Sequence, residues 1–269
     1  MYKYYIFTIN FQLNIKRKKY ESIAPKNGFI HYQSDIEYSN EDYQTLINEI
    51  SFLEKDPYAP SNVIRNRRYA NAIILPWEGN QLFWLPTVKQ NNQELSGYDQ
   101  GSNNPEHQNI RYFNSISQKL KETELLKSLI LEDFCLTFGL SGHYLPIYVG
   151  VHLVTVSCTN NDLPGFSSPD CFHQDGEPFT FAHLVQRNSN AGGGNNYIGK
   201  IKCRNKKLTE ISKEDIIDSF VLKKFLESFA VYDNAVSHYV DHLIKIDPTG
   251  EPAQRTMILI DFSLTKQNI

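Results

Sequence analysis

The feature that most constrains this 269-residue chain is a series of strand-like segments in its second half. β-Branched and aromatic residues fill the segments 148–156, 179–185, 196–201 and 255–262, and such residues favour strands over helices. Many strands with helices outside them predict a mainly β fold with flanking helices. We expect its core to be a double-stranded β-helix, that is, a cupin-like jelly roll.

The first half mixes helical and extended patterns. Apolar residues recur at helical spacing over residues 41–55, with Asn40 as the N-cap, and over 114–131, with Asn114 or Ser115 as the cap. The segment 69–76 reads as a strand. Residues 212–229 also have helical spacing, although a strand and a loop fit them nearly as well.

No internal repeat or low-complexity linker divides the chain, so we expect residues 1–269 to form a single domain. Residues 1–60 would supply N-terminal strands and a helix that buttress the core. A chain of this length commonly forms one β domain and can bury a sizeable apolar core.

Composition excludes several functional classes. The net charge of -3 and the pI near 6.2 give no basic surface for nucleic acid, and the run Lys16–Lys19 reads as a solvated segment. We find no signal-peptide core or membrane span. The four cysteines lack CxxC spacing and read as free thiols. We therefore expect a cytoplasmic protein without nucleic-acid or membrane partners.

The strongest chemical signal is the pair His173 and Asp175. Side chains two residues apart on an extended backbone point to the same face, so this imidazole and this carboxylate can converge. With a second, distant histidine they would form a 2-His-1-carboxylate triad, which holds Fe(II) and leaves positions open.

The candidate for the third ligand is His238, and Arg255 follows it inside an apolar strand. His242 remains the alternative, because only one of the two can serve. His183 has the same parity as His173 but would lie roughly 26 Å beyond Asp175 at about 3.3 Å per residue. We interpret His31, His107, His143, His152 and His183 as structural, and of these five we keep only His152 as a further candidate for a functional site.

A second motif resembles a nucleotide-binding loop but lacks the features that such a loop needs. Residues 194–200 fit the phosphate-loop pattern GxxxxGK, but Ile201 stands where Ser or Thr is needed and no helical stripe follows. The glycines at 192–194 instead predict a turn or a close backbone approach.

The ordered set of motifs resembles the bacterial 2-oxoglutarate/Fe(II) dioxygenases that hydroxylate free amino acids, the isoleucine dioxygenase family. The resemblance covers about residues 60 to 262. The segments that carry it are Arg65–Tyr69, Trp84–Pro86, Asn104–Glu106, Ile110–Phe113, Phe172–Gly176, Arg187–Asn188, Gly193–Gly194, Ser237–His238 and Gln254–Phe262.

This resemblance implies that His173, Asp175 and His238 hold Fe(II) and that Arg255 binds the far carboxylate of 2-oxoglutarate. The implied reaction consumes O₂ and hydroxylates or sulfoxidises a free aliphatic L-amino acid such as isoleucine, leucine or methionine. It releases succinate and CO₂, and ascorbate is a helpful additive. The chain departs from the family by having Val154 and Thr155 where an arginine is frequent, and Met257 where a hydroxyl is frequent.

Two alternatives remain open at the level of the sequence. The substrate could be a peptide or protein side chain rather than a free amino acid. The protein could also be a metal-binding cupin-like module without 2-oxoglutarate chemistry. Arg255 argues against the second alternative, because a buried guanidinium without an anion is costly.

Overall fold

The computed structural model describes residues 27–99, 109–137, 140–142, 144–167 and 169–264. The run Lys16–Lys19, the segment Asn104–Glu106, His107 and His143 lie outside these residues. The helices are α1 (Asn40–Ser51), α2 (Gln118–Lys121) and α3 (Glu124–Cys135). The strands are β1 (Phe29–Gln33), β2 (Ile64–Leu75), β3 (Gln81–Trp84), β4 (Val88–Gln90), β5 (Gln93–Tyr98), β6 (Arg111–Asn114), β7 (Ile147–Cys158), β8 (Phe179–Arg187), β9 (Ala191–Gly193), β10 (Asn196–Lys200), β11 (Ile216–Phe220), β12 (Glu227–Tyr232), β13 (Val236–Val240), β14 (Leu243–Lys245) and β15 (Ala253–Ser263).

A seven-stranded antiparallel sheet forms the major layer, in the order β1-β12-β8-β15-β7-β2-β3. Its central strand β15 is continuous in pairing with β7 from Ala253 to Ser263. Because side chains alternate across a strand, the sheet presents two different faces. Val151 and Ile260 join the apolar cluster with the helices, whereas Val154 and Met257 face a cavity on the other side.

The helices cover one face of the major sheet. Leu46 of α1 and Leu129 of α3 are fully buried in the same apolar cluster as strand residues Val149 and Phe262. Burial of such side chains contributes about 1.5–3 kcal/mol each. The other face of the sheet is thereby left for the smaller sheets and for the cavity between them.

The helix boundaries differ from the sequence predictions. Ser39, rather than Asn40, caps α1 by accepting a hydrogen bond from the Asp42 amide at 3.0 Å. The predicted helix 114–131 is two helices, because Thr123 caps α3 through the Leu126 amide at 3.3 Å. The predicted caps Asn114 and Ser115 are wrong, and Asn114 instead ends strand β6.

The helical interpretation of residues 212–229 is wrong, and the strand-and-loop alternative is confirmed. β11 pairs with β10, and β12 pairs with β1 and β8. Between them Leu226 has φ of 55°, a left-handed backbone that ends a right-handed helix. The Glu227 carboxylate accepts the Lys223 and Lys224 amides at 2.7 and 3.0 Å and fixes this turn.

The minor layer consists of the sheet β11-β10-β13 and the pair β14-β9. It faces the major sheet and closes the predicted jelly roll, so the fold class is confirmed. The predicted strands at 69–76, 148–156, 179–185, 196–201 and 255–262 are confirmed within a few residues. No helix of the described residues is long and apolar enough to cross a membrane.

A candidate metal centre

Two predicted ligands are brought together by backbone pairing. His173 lies in the loop before β8 and forms an isolated antiparallel bridge with His238 of β13. Each amide donates to the other residue's carbonyl at 3.0 Å. The two imidazole rings consequently lie side by side, with centroids 4.2 Å apart.

Asp175 completes the cluster. Its carboxylate oxygens lie 3.6 Å from His173 Nε2 and 3.4 Å from His238 Nε2. The Asp233 carboxylate accepts the amides of Asp175 and Gly176 at 3.0 and 2.7 Å, and Gly176 has φ of 94°. This turn directs Asp175 back towards the histidines, and the three ligand atoms lie within 4.8 Å of one another.

The donor set fits a divalent iron ion. His173 Nδ1 donates to the Cys171 carbonyl at 2.9 Å, which leaves the Nε2 lone pair directed at the cluster, as metal-binding histidines require. Two imidazole nitrogens and one carboxylate on one side of an ion leave other positions free, which is the 2-His-1-carboxylate pattern of non-haem iron.

The electrostatics of the cluster follow from burial and proximity. Burial, reinforced by His238, lowers the pKa of His173 to about 4. Burial alone would raise the pKa of Asp175, but the charge and hydrogen bond of His238 lower it below its ordinary range. Burial opposes protonation of His238 as well, yet Asp175 raises the pKa of His238 above its ordinary value. Below this raised pKa, His238 of the metal-free cluster carries a proton that an incoming metal must displace.

The rival histidines lie elsewhere. His242 Nε2 hydrogen-bonds Asp170 Oδ1 at 2.8 Å and is absent from the ligand cluster. His183 is fully buried on the helix-facing side of β8, where Nε2 contacts Asp133 at 2.8 Å. The structure thus groups His238, and neither rival, with His173 and Asp175.

Arg255 lies on the cavity side of β15. Its Nη2 donates to Asn196 Oδ1 at 3.4 Å, and its Nε contacts Met257 Sδ at 3.3 Å. Among the described residues no carboxylate lies within ion-pair distance of it. Burial, with the neighbouring Arg187, lowers the pKa of Arg255 to about 10, so it remains protonated at neutral pH and is suited to an anionic ligand.

Strand β9 and the following Gly194 lie beside this arginine. Arg187 Nη2 donates to the carbonyls of Ala191 and Gly193 at 2.6 and 2.8 Å, so it holds strand β9 rather than covering the cavity. A Cβ atom on Gly194 would lie 2.9 Å from Arg187 Nη1 and 3.5 Å from Arg255 Nη1. The predicted close backbone approach at these glycines is confirmed.

One cavity of about 130 Å³ contains the cluster and Arg255. Apolar side chains from both layers form much of its wall, including Val154, Phe166, Leu243, Met257 and Leu259.

Ionisable side chains also line the wall, and they were not predicted apart from His152, which we kept as a candidate from the sequence. They include Arg67, Tyr98, Arg111, His152, Glu177 and Asp261. The only signal in the sequence was the arginine-rich segment 65–68, and nothing in that segment shows which arginine faces inwards.

A jelly roll with two imidazoles and a carboxylate converging in its cavity defines the class of 2-His-1-carboxylate non-haem iron proteins. The profile of 2OG-Fe dioxygenase matches residues 48–261, which is most of the chain. The chain belongs to the 2OG-Fe dioxygenase family. It is therefore a non-haem iron dioxygenase, and membership implies Fe(II) and 2-oxoglutarate as cofactor and cosubstrate.

Relatives match over nearly the whole chain. L-isoleucine-4-hydroxylase of Bacillus thuringiensis is 26% identical over 261 residues, covering 94% of this chain and 96% of the relative. The crystal structure of IDO from the same organism has a TM-score of 0.67 at 22% identity, covering 92% and 94% of the two chains. A bsmA homologue from Methylobium petroleophilum PM1 has a TM-score of 0.71 at 15% identity and covers 92% of each chain.

Proposed function

We propose that this protein hydroxylates, or oxidises at sulfur, the side chain of a free aliphatic L-amino acid. The observation that carries the proposal is the convergence of His173, Asp175, His238 and Arg255 on one small cavity with an apolar wall. Support comes also from the relative that is an L-isoleucine-4-hydroxylase. Isoleucine, leucine and methionine are the first candidates.

Each residue has a distinct task in this proposal. His173, Asp175 and His238 hold Fe(II) and leave the cavity side of the ion open. Arg255 binds the far carboxylate of 2-oxoglutarate by charge-assisted hydrogen bonds, with Asn196 orienting the guanidinium. The bound iron, 2-oxoglutarate and O₂ supply the oxidation of an unactivated C–H bond, with release of succinate and CO₂.

The chain provides the positioning and the exclusion of water. Val154, Leu259 and Met257 offer an apolar surface on which an aliphatic side chain can lie beside the cluster. Ser237, one residue before His238, donates its hydroxyl to the Lys200 carbonyl at 2.9 Å and takes no part in this wall.

The test is succinate release from 2-oxoglutarate with Fe(II) and ascorbate, first alone and then with each of the twenty L-amino acids. We expect isoleucine, leucine or methionine to stimulate succinate release and to gain one oxygen atom by mass spectrometry. N-acetylated, amidated isoleucine is the matched control. Equal turnover of the capped compound would contradict the proposal and favour a peptide side-chain hydroxylase.

A further inference from the structure

The cavity contains a second cationic region, away from Arg255. Arg67 of β2 stacks over the rings of Phe113 and Tyr98, at 4.5 and 5.5 Å from their centroids, and Arg111 stacks over the same two rings. Burial, with the neighbouring Arg111, lowers the pKa of Arg67 to about 10. Arg67 is therefore cationic at neutral pH.

Arg67 carries positive charge without a carboxylate partner. No acidic side chain of the described residues lies within ion-pair distance of it, and its Nε atom is buried without a hydrogen-bond acceptor. The nearby Asp56 is already paired with Arg65 at 2.7 Å. A buried guanidinium of this kind is stabilised by an anion from outside the chain.

Register separates this region from the 2-oxoglutarate arginine. Arg67 pairs with Val154, which pairs in turn with Met257 of β15, whereas Arg255 pairs with Val156. The two arginines are therefore two strands apart, which is roughly 10 Å at about 4.8 Å per strand. One 2-oxoglutarate needs only one of these regions for its far carboxylate.

An acidic region lies on the same wall. Glu177 and Asp261 both line the cavity and are about 95% buried, at 5% and 4% exposure. Glu177 Oε2 has no hydrogen-bond partner, and Asp261 Oδ1 has no side-chain partner, among the residues described. A Cβ atom on Gly150 would lie 2.5 Å from both Asp261 oxygens, so glycine is needed there to seat this carboxylate.

His152 connects the two regions in a fixed direction. Arg67 Nη2 donates to His152 Nδ1 at 2.6 Å, so the ring proton is on Nε2 and donates to Asp261 Oδ2 at 3.1 Å. Burial and the two arginines lower the pKa of His152 well below its ordinary value, which keeps this imidazole neutral. Arg67 and Asp261 are thereby held in place through His152 before any ligand enters.

We infer that Arg67 and Arg111 bind the α-carboxylate of the substrate and that Glu177 and Asp261 receive its α-ammonium group. The inference rests on the proposed function and deepens it, because it assigns the recognition of a zwitterion to four residues of one wall. The ligand class is a free α-amino acid, whose two charges match the two regions. A site that holds both charges rejects analogues that lack either, since a buried group is then left unpaired.

The test measures binding to the protein loaded with Mn(II) and 2-oxoglutarate, by calorimetry. The probes are L-isoleucine, L-leucine and L-methionine, their carboxamides, which lack the carboxylate, and the matching 2-hydroxy acids, which lack the ammonium. The variants are Arg67→Lys and Glu177→Gln. Arg68→Lys is the matched control, because Arg68 is the next residue of β2 but pairs with Glu49 and Glu54 at 2.8 and 2.7 Å.

We expect a crossed pattern, in which each variant weakens binding only of the probes that carry the charged group bound by the replaced residue. Arg67→Lys should weaken the best-bound amino acid about tenfold or more but its carboxamide by less than about threefold. Glu177→Gln should weaken the amino acid by about the same factor but the 2-hydroxy acid by less than about threefold. The Arg68→Lys protein should bind all probes as the unchanged protein does. Misfolding would weaken every probe equally, so the crossed pattern distinguishes a binding role from a structural one.

Two results would overturn the inference: an equal loss for all probes in each variant, or no binding of any L-amino acid to the unchanged protein. Succinate release by the unchanged protein separates this failure from that of the dioxygenase reaction. Succinate without amino-acid binding refutes the zwitterion site alone. The crossed pattern without succinate refutes the oxidation and leaves the zwitterion site intact.

Discussion

At the scale of the residue, the proposed chemistry depends on a few side chains whose partners fix both position and protonation. His173 is fixed by the Cys171 carbonyl, Asp175 by the turn on Asp233, and His238 by its backbone bridge. Among the described residues, Arg255, by contrast, is held only by Asn196 and Met257. The first three positions are therefore rigid before a metal binds, while the guanidinium is left available to an anion.

Replacement of His238 by Ala should abolish turnover, whereas His242→Ala should retain it. His238 is one of three groups in the cluster, and His242 only contacts Asp170. We expect at least a hundredfold loss of activity for His238→Ala. Replacing a residue that only hydrogen-bonds a metal ligand already costs about 10–100-fold, and loss of a ligand itself should cost more. Succinate release and anaerobic iron titration measure it. An inactive His242→Ala beside an active His238→Ala would reverse the assignment.

The Arg255→Lys protein should bind 2-oxoglutarate more weakly by about 1.5–3 kcal/mol, since lysine keeps the charge but loses the fork. Metal binding should change little, because Arg255 does not contact the ligand cluster. The measurement is 2-oxoglutarate titration of the Mn(II)-loaded protein. An unchanged affinity would remove Arg255 from this role.

At the scale of the element, helix α3 is joined to the major sheet by a buried polar network. Asp133 of α3 accepts from Tyr32 of β1 at 2.9 Å and contacts His183 of β8 at 2.8 Å. Ser228 lies 2.8 Å from the other ring nitrogen of His183. Serine, histidine and aspartate are thus aligned as in a hydrolase, but the fully buried position of His183 gives substrate no access.

Asp133→Ala should destabilise the protein by about 1–3 kcal/mol for each of the two buried groups, Tyr32 and His183, that lose a hydrogen-bond partner. Tyr32→Phe is the milder control, since it removes one hydroxyl and should cost about 1 kcal/mol. Denaturant unfolding of both variants gives the comparison. Equal, small losses would show that this network does not join the helix to the sheet.

The elements themselves were largely predictable. Runs such as 148–156 and 255–262 are recognisable as strands because they are rich in β-branched and apolar residues, as strands buried on both faces require. Residues 212–229 were not predictable by spacing, since Leu226 adopts positive φ only through the turn fixed by Glu227. His173, Asp175 and His238 were predictable as a motif. Arg67, Glu177 and Asp261 were not, because their proximity depends on sheet order and on which face each strand presents.

At the scale of the whole molecule, two layers of sheet hold the cluster between them, and metal binding should therefore stabilise the complete fold. An ion that binds only the folded chain adds about 2.7 kcal/mol at a hundredfold excess over its Kd. That corresponds to a rise in Tm of several degrees for a domain of this size, at about 2–4 °C per kcal/mol.

The metal-induced rise in Tm should be larger at pH 8 than at pH 6. Asp175 raises the pKa of His238 above its ordinary value in the metal-free protein, so below that pKa a proton competes with the ion. Thermal unfolding with and without Fe(II) under nitrogen tests this at both pH values, and His238→Ala serves as the control without a rise. An equal rise at both pH values would show that His238 loses no proton on metal binding.

The paired backbone hydrogen bonds between His173 and His238 have a consequence for the order of events in a cell. During synthesis, His173 and Asp175 leave the ribosome well before His238, and the bridge that aligns the two imidazoles forms only after β13 has docked. A nascent chain that ends before this strand has only two of the three proposed ligands. On this proposed assignment, metal acquisition is deferred until β13 docks, which spares the growing chain an exposed, redox-active ion.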